Sequence, residues 1–198
     1  MSEPDWGHQY TITTEALIDL AEALPADNWA RRVPATPAWT VHQVLAHSAG
    51  TPADFLAGNM DGAPGEAWTQ AHVDARAGAS PAELIAELRQ STLQVAPLLD
   101  ARLSAFCYDR ATHYADLCEL AGVRPDEVHW RPLLESVAAR RLKGRTLEVD
   151  DYELFRALFS RRSMAQLRAW NSGLDDAELA KLGMFGPRED DQPIPLGG

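Results

Sequence analysis

Apolar residues recur at three- and four-residue intervals through four separate stretches of this chain, and each such stretch predicts an amphipathic helix. The first covers 13–24, with Leu17, Leu20 and Leu24 on one face and Pro25 as its stop. The second opens on a capping box, Thr40 with Gln43, and continues towards Asn59 with Val41, Val44, Leu45, Ser48 and Phe55 inward; Pro52 predicts a kink. The third opens on Ser80, Pro81 and Glu83, presents Leu84, Ile85, Leu88, Val95 and Leu99, and is bent or loosened near its end by Pro97. The fourth covers 103–121, with Phe106, Asp109, His113, Leu117 and Leu120 on one face and Gly122 as C-cap.

Between the second and third helices, 58–78 carries Gly62, Pro64 and Gly65 and reads as a loop long enough to form a lid. Beyond the fourth, 131–141 reads as a shorter helix, 145–149 as a short strand and 151–169 as helix again. The tail from Gly183 is rich in glycine and proline and reads as irregular or partly disordered. The expected architecture is mainly α: a four-helix bundle over 1–130, a short and mostly helical extension packed on it over 131–182, and an irregular tail over 183–198.

Composition narrows the function. With 198 residues and 45% apolar content, the chain can bury a sizeable core. A formal charge of -11, with no contiguous basic run, argues against nucleic acid and anionic membranes as partners and for a small-molecule ligand. All but two of the 18 basic residues are arginine, a bias suggesting a GC-rich bacterial genome. The longest stretch free of Asp, Glu, Lys and Arg, 33–53, contains three prolines and two histidines, unlike a bilayer span. Cys107 and Cys118 lie on one predicted helix, about 16 Å apart at 1.5 Å per residue, too far to bridge. Free thiols and the lack of a recognisable leader lead us to expect a cytoplasmic protein.

The chemistry gathers at Asp109 and His113, two titratable groups one turn apart on an apolar stripe. Burying either alone costs several kcal/mol, so the pair needs each other, a hydrogen-bond network or a metal ion. Residues at i and i+4 can reach one cation together, and a third ligand would have to come from a facing helix. Of the six histidines, His47 is the best candidate, mid-helix at the border of the second helix's stripe; His42 lies in that helix's first turn, His72 in the lid-like loop, and His8 and His129 in non-helical flanks. Simpler readings stand beside this one. His47 can be a satisfied core histidine, Asp109 can pair with Arg110, and Asp116 is either an acceptor for the His113 ring or a solvated flank residue.

The segment Trp39-Thr40-Val41, followed by Val44-Leu45-Ala46-His47, resembles the second helix of the mycothiol-dependent maleylpyruvate isomerase family, within the DinB-like four-helix bundles. Asp109, His113 and Asp116 resemble that family's fourth-helix Glu, His and Asp, with an aspartate one methylene shorter at the first position; Asp116-Leu117 through Ala121-Gly122 continues the match. Glu153-Leu154-Phe155-Arg156-Ala157-Leu158 and Arg161-Arg162-Ser163 resemble a later helix, so the likeness covers roughly 13–174.

The resemblance implies that His47, Asp109 and His113 are catalytic and hold a divalent metal, zinc by preference, leaving a position for water or a thiol. It implies mycothiol as co-substrate and an isomerase or S-transferase acting on a small anionic or electrophilic molecule. In the family's reaction a thiolate adds to an activated double bond, rotation follows, and elimination returns the isomer. Arg110, Arg140, Arg161 and Arg162 are candidates to hold an anionic substrate, although each reads most simply as a surface residue. Bundles of this superfamily often pair, which makes a homodimer an expected partner state. Two other classes stay open: the same bundle recruited to a different small-molecule reaction, such as secondary-metabolite tailoring with Asp109 or His113 as acid or base, and a non-catalytic binding bundle.

Overall fold

The computed structural model describes residues 4–170 and 172–194, which form a mainly helical protein with one small two-stranded sheet. Two compact units divide the chain, Met1–Leu120 and Ala121–Gly198. No helix among the described residues is long and apolar enough to cross a membrane.

The first unit is a helical bundle of α1 (Trp6–Ala23), α2 (Val41–Ala57), α4 (Pro81–Val95) and α5 (Ala105–Ala121), with α3 (Glu66–Ala75) inserted between α2 and α4. Its core draws on all four main helices through Leu17, Leu45, Leu84, Leu88 and Leu117, each fully buried. Both predicted capping boxes form. The Gln43 amide donates to Thr40 Oγ1 at 3.3 Å while Thr40 N donates to Gln43 Oε1 at 2.9 Å, and Ser80 exchanges the equivalent bonds with Glu83. Gly122 takes the left-handed conformation expected of it, at φ 74°.

Two local expectations are corrected here, at the first helix and at 58–78, and two features are added. The first helix begins at Trp6 rather than residue 13, because Asp5 accepts a bond from His8 N and caps a turn of weak helix formers; His8 is therefore helical. Residues 58–78 are not a loop throughout: ten of them form α3, which packs along α2 and buries His72 and Val73. Helix α2 continues through Pro52, in line with the expected run towards Asn59. Proline removes the donor that would have bonded the Ser48 carbonyl, and Arg110 Nη2 from α5 donates to that oxygen instead, at 2.9 Å. Finally, a short antiparallel hairpin, β1 (Arg32–Val33) and β2 (Thr36–Thr40), precedes α2 and delivers Trp39 directly before the N-cap.

The second unit contains α6 (Arg131–Arg141), α7 (Asp151–Leu158), α8 (Met164–Arg168) and α9 (Asp176–Ala180). Trp130 is fully buried, with its ring centroid 5.4 Å from Tyr152 and 5.8 Å from Phe155. The expected strand over 145–149 is absent. It has no partner strand, and Arg145 is instead drawn into a turn and an ion pair with Glu178 at 2.5 Å. The expected helix over 151–169 is broken at Ser160, which adopts φ 60° and accepts a bond from Phe185 N, and it restarts on a capping box of its own, Ser163 with Gln166. The tail has no helix through Ile194, yet it is pinned: Arg188 N donates to the Arg162 carbonyl, Gln192 bonds Gln166, and Asp191 accepts from Ser163.

Candidate metal centre

Helix α2 presents His47 and helix α5 presents Asp109 and His113, and the three side chains converge. The capping box at Thr40 fixes where α2 starts, and Arg110 ties α2 to α5 one residue from His47 and one from Asp109. Asp109 Oδ1 stands 3.4 Å from His47 Nε2 and 3.5 Å from His113 Nε2, and the three candidate ligand atoms lie within 4.8 Å of one another. Both imidazoles are buried, whereas the Asp109 side chain is 32% exposed, so solvent reaches the cluster at the carboxylate. The single methylene of Asp109 suffices to bring one oxygen to both rings.

These separations suit a cation better than they suit hydrogen bonds. Strong N–H···O bonds span about 2.7–3.2 Å. A tetrahedral ion with ligands at about 2.1 Å spaces its ligand atoms about 3.4 Å apart. Two imidazole nitrogens and a carboxylate oxygen are also the donor set that zinc accepts at sites retaining an exchangeable position. The residues therefore fit a divalent ion of the zinc class.

Electrostatics sets the two histidines apart. Burial pushes His47 below the ordinary histidine range, reinforced by the neighbouring His113 and His72 and only partly opposed by Asp109. Burial acts the same way on His113, but the Asp109 and Asp116 carboxylates outweigh it and raise its pKa. Burial also works against ionised Asp109, yet the two imidazoles hold its carboxyl well below the usual carboxylate range.

Around the cluster, His113 Nδ1 lies 3.2 Å from Asp116 Oδ2, and Asp116 is completely buried, so of its two readings the acceptor one is realised. His47 Nδ1 faces His72 Nδ1 at 3.1 Å, and His72 Nε2 meets Asp54 Oδ2 at 2.9 Å. Trp39 stacks at a tilt 5.0 Å from the His47 ring, and Trp68 packs edge-on against His72 at 4.2 Å. His42 bonds the Ala79 carbonyl and His8 is exposed. In the second unit, burial lowers the pKa of His129.

His72 and Asp54 are absent from the sequence-based candidates. A signal existed in Gly50, a glycine inside a helix where alanine is normally favoured by about 0.5–1 kcal/mol. A Cβ there would stand 2.3 Å from His72 Cγ. The glycine marks the place where another side chain lies against the α2 backbone.

The expectation of surface arginines fails for two of four. Arg110 is buried, with Nη2 donating to Tyr10 OH at 2.8 Å as well as to Ser48 O. Arg162 is buried in the second unit and donates two hydrogen bonds to the Glu153 carboxylate, both 2.7 Å. Arg140 is exposed, and Arg161 donates to the Phe159 carbonyl.

Fold and site together define a helical bundle carrying a two-histidine, one-carboxylate cluster between two of its helices. The family model described as the mycothiol maleylpyruvate isomerase N-terminal domain matches residues 11–138, and the chain belongs to that family. No curated protein and no solved structure matches the chain.

Proposed function

We propose that this protein is a metal-dependent, thiol-using isomerase or S-transferase whose co-substrate is mycothiol and whose other substrate is a small electrophilic or anionic molecule. The observation that carries the reading is the pair of 3.4 and 3.5 Å separations from one Asp109 oxygen to two imidazole nitrogens, in a chain whose family is named for mycothiol-linked isomerisation. His47, Asp109 and His113 would hold the ion. When bound, a zinc-class cation supplies the positive charge that lowers the pKa of a thiol and keeps it nucleophilic at neutral pH.

The chain's own residues do the rest. Asp116 accepts a hydrogen bond from Nδ1–H of His113, which in the neutral ring directs the Nε2 lone pair into the cluster. Trp39 covers one side of His47. The thiol comes from outside: Cys107 is buried, donates to the Trp6 carbonyl and is pushed up to about 12 by burial, and Cys118 is buried too.

The test is elemental analysis of protein purified without a metal-affinity tag, followed by incubation with mycothiol and an electrophile bearing an activated double bond. About one zinc per chain, together with an isomerised product or a mycothiol adduct that requires the metal, is the expected result. Metal-free protein, or turnover independent of thiol, would overturn the reading.

A further inference from the structure

We infer that His72 and Asp54 are positioning residues that set the tautomer of His47, so that its Nε2 lone pair faces the metal cluster. This rests on the metal reading above for its purpose, although the arrangement itself is a property of the metal-free chain.

Two facing ring nitrogens can share only one proton. At 3.1 Å, His47 Nδ1 and His72 Nδ1 form a hydrogen bond in which one donates and the other accepts. The choice is made at the far side of His72. Its Nε2 lies 2.9 Å from Asp54 Oδ2, and a carboxylate can only accept, so His72 carries its proton on Nε2. With the His72 ring neutral, its Nδ1 is then a lone pair, His47 Nδ1 must hold the proton that donates to it, and His47 Nε2 is left free to donate its electron pair to a cation. The reverse arrangement would need His47 Nε2–H to bond Asp109 across 3.4 Å, beyond the favourable range, and would set a lone pair of His72 against the Asp54 carboxylate. The two short contacts outweigh the long one.

The construction is specific. His72 is 2% exposed, its ring lies where only a glycine at position 50 admits it, and Trp68 packs against its other side while donating to the Asn59 carbonyl at 2.9 Å. Helix α3 thus serves to bring one imidazole to the back of another.

Zinc affinity by chelator competition and side-chain nitrogen-15 NMR of the metal-free protein at mildly alkaline pH test this. Asp54→Ala and His72→Phe should each weaken zinc binding by about 10- to 100-fold, the usual effect of losing a partner behind a histidine ligand. His72→Gln, which can still accept from His47 and donate to Asp54, should stay near wild type. Because Asp54 acts only through His72, the double variant Asp54→Ala, His72→Phe should bind no more weakly than His72→Phe alone. In metal-free wild type, His47 should carry its proton on Nδ1, and in Asp54→Ala that proton should shift towards Nε2.

Unchanged affinity in folded Asp54→Ala, additive losses in the double variant, or a wild-type His47 protonated on Nε2 would overturn the inference. Asp54 is partly exposed, so Asp54→Ala carries the test even if His72→Phe does not fold. Wild-type protein that takes up no zinc would sink the metal reading instead, and the nitrogen-15 assignment would still decide the tautomer claim.

Discussion

His113 takes the carboxylate behind its ring from its own helix, three residues further on, whereas the carboxylate behind His47, on the side away from Asp109, is reached through a second histidine from an inserted helix. The first arrangement is local. It survives wherever α5 is helical, because i and i+3 share a face. The second is assembled from three places, α2, α3 and Asp54 at the far end of α2, and fails if α3 undocks. Their charges differ as well. Buried and crowded by two other rings, His47 favours the neutral form, while His113, between Asp109 and Asp116, favours the cation. His47 reaches the neutral, ligand-competent form at lower pH than an ordinary histidine, and His113 keeps its proton to higher pH.

The most severe break is removal of a ligand. His47→Ala and His113→Ala should each weaken zinc binding by more than about 100-fold, exceeding the range for partners behind the ligands. Loss of stoichiometric zinc by elemental analysis checks this. Equal retention of zinc in both variants would mean that the ion, if present, sits elsewhere.

Gly50→Ala tests the assembled side alone. Alanine inside a helix normally stabilises by about 0.5–1 kcal/mol relative to glycine. Here the added Cβ collides with the His72 ring, which is held on both sides by Asp54 and His47, so the sign should reverse. We expect a loss of about 1–3 kcal/mol in chemical denaturation, typical of overpacking, together with weakened zinc binding. Stabilisation by Gly50→Ala would show that α3 yields freely and gives His47 no fixed support.

The same contrast explains what was legible in the sequence. Asp109, His113 and Asp116 announce themselves by spacing within one helix, and Thr40 with Gln43 announces the helix that carries His47. The bundle followed from apolar periodicity at Leu17, Leu45, Leu88 and Leu117. His72 was hidden because α3 has a thin apolar face, is flanked by Gly65 and Gly78, and reads by composition as loop. Its partner relation to His47 spans 25 residues of chain and is set by tertiary packing, which no local pattern encodes. In the second unit, the break at Ser160 was missed although Ser163 and Gln166 spell a new helix start.

The charge difference predicts how zinc uptake responds to pH. Because Asp109 and Asp116 raise the His113 pKa, His113 is protonated in metal-free protein below that raised value and must release the proton on binding. Apparent affinity should therefore fall by about tenfold per pH unit on the acid side of that value and level off above it. Calorimetry in buffers of different ionisation enthalpy should register release of about one proton there. In Asp116→Asn the inflection should move to lower pH, since one of the two charges sustaining the imidazolium is gone. An inflection that does not move would assign the proton to another group.

The smallest expected effect separates helix anchoring from ring support. Thr40→Ala and Ser80→Ala each remove an N-cap acceptor, and each should lower stability by about 1 kcal/mol in chemical denaturation. The Ser80 cap begins α4, which contributes no ligand. The Thr40 cap begins α2, with His47 two turns inside the helix and beyond the reach of first-turn fraying. If His47 is held by His72 and Asp54, the two variants should bind zinc alike, each near wild type. A selective loss in Thr40→Ala would move the anchor of His47 from α3 to the start of its own helix, making both histidines locally supported and removing the asymmetry between them.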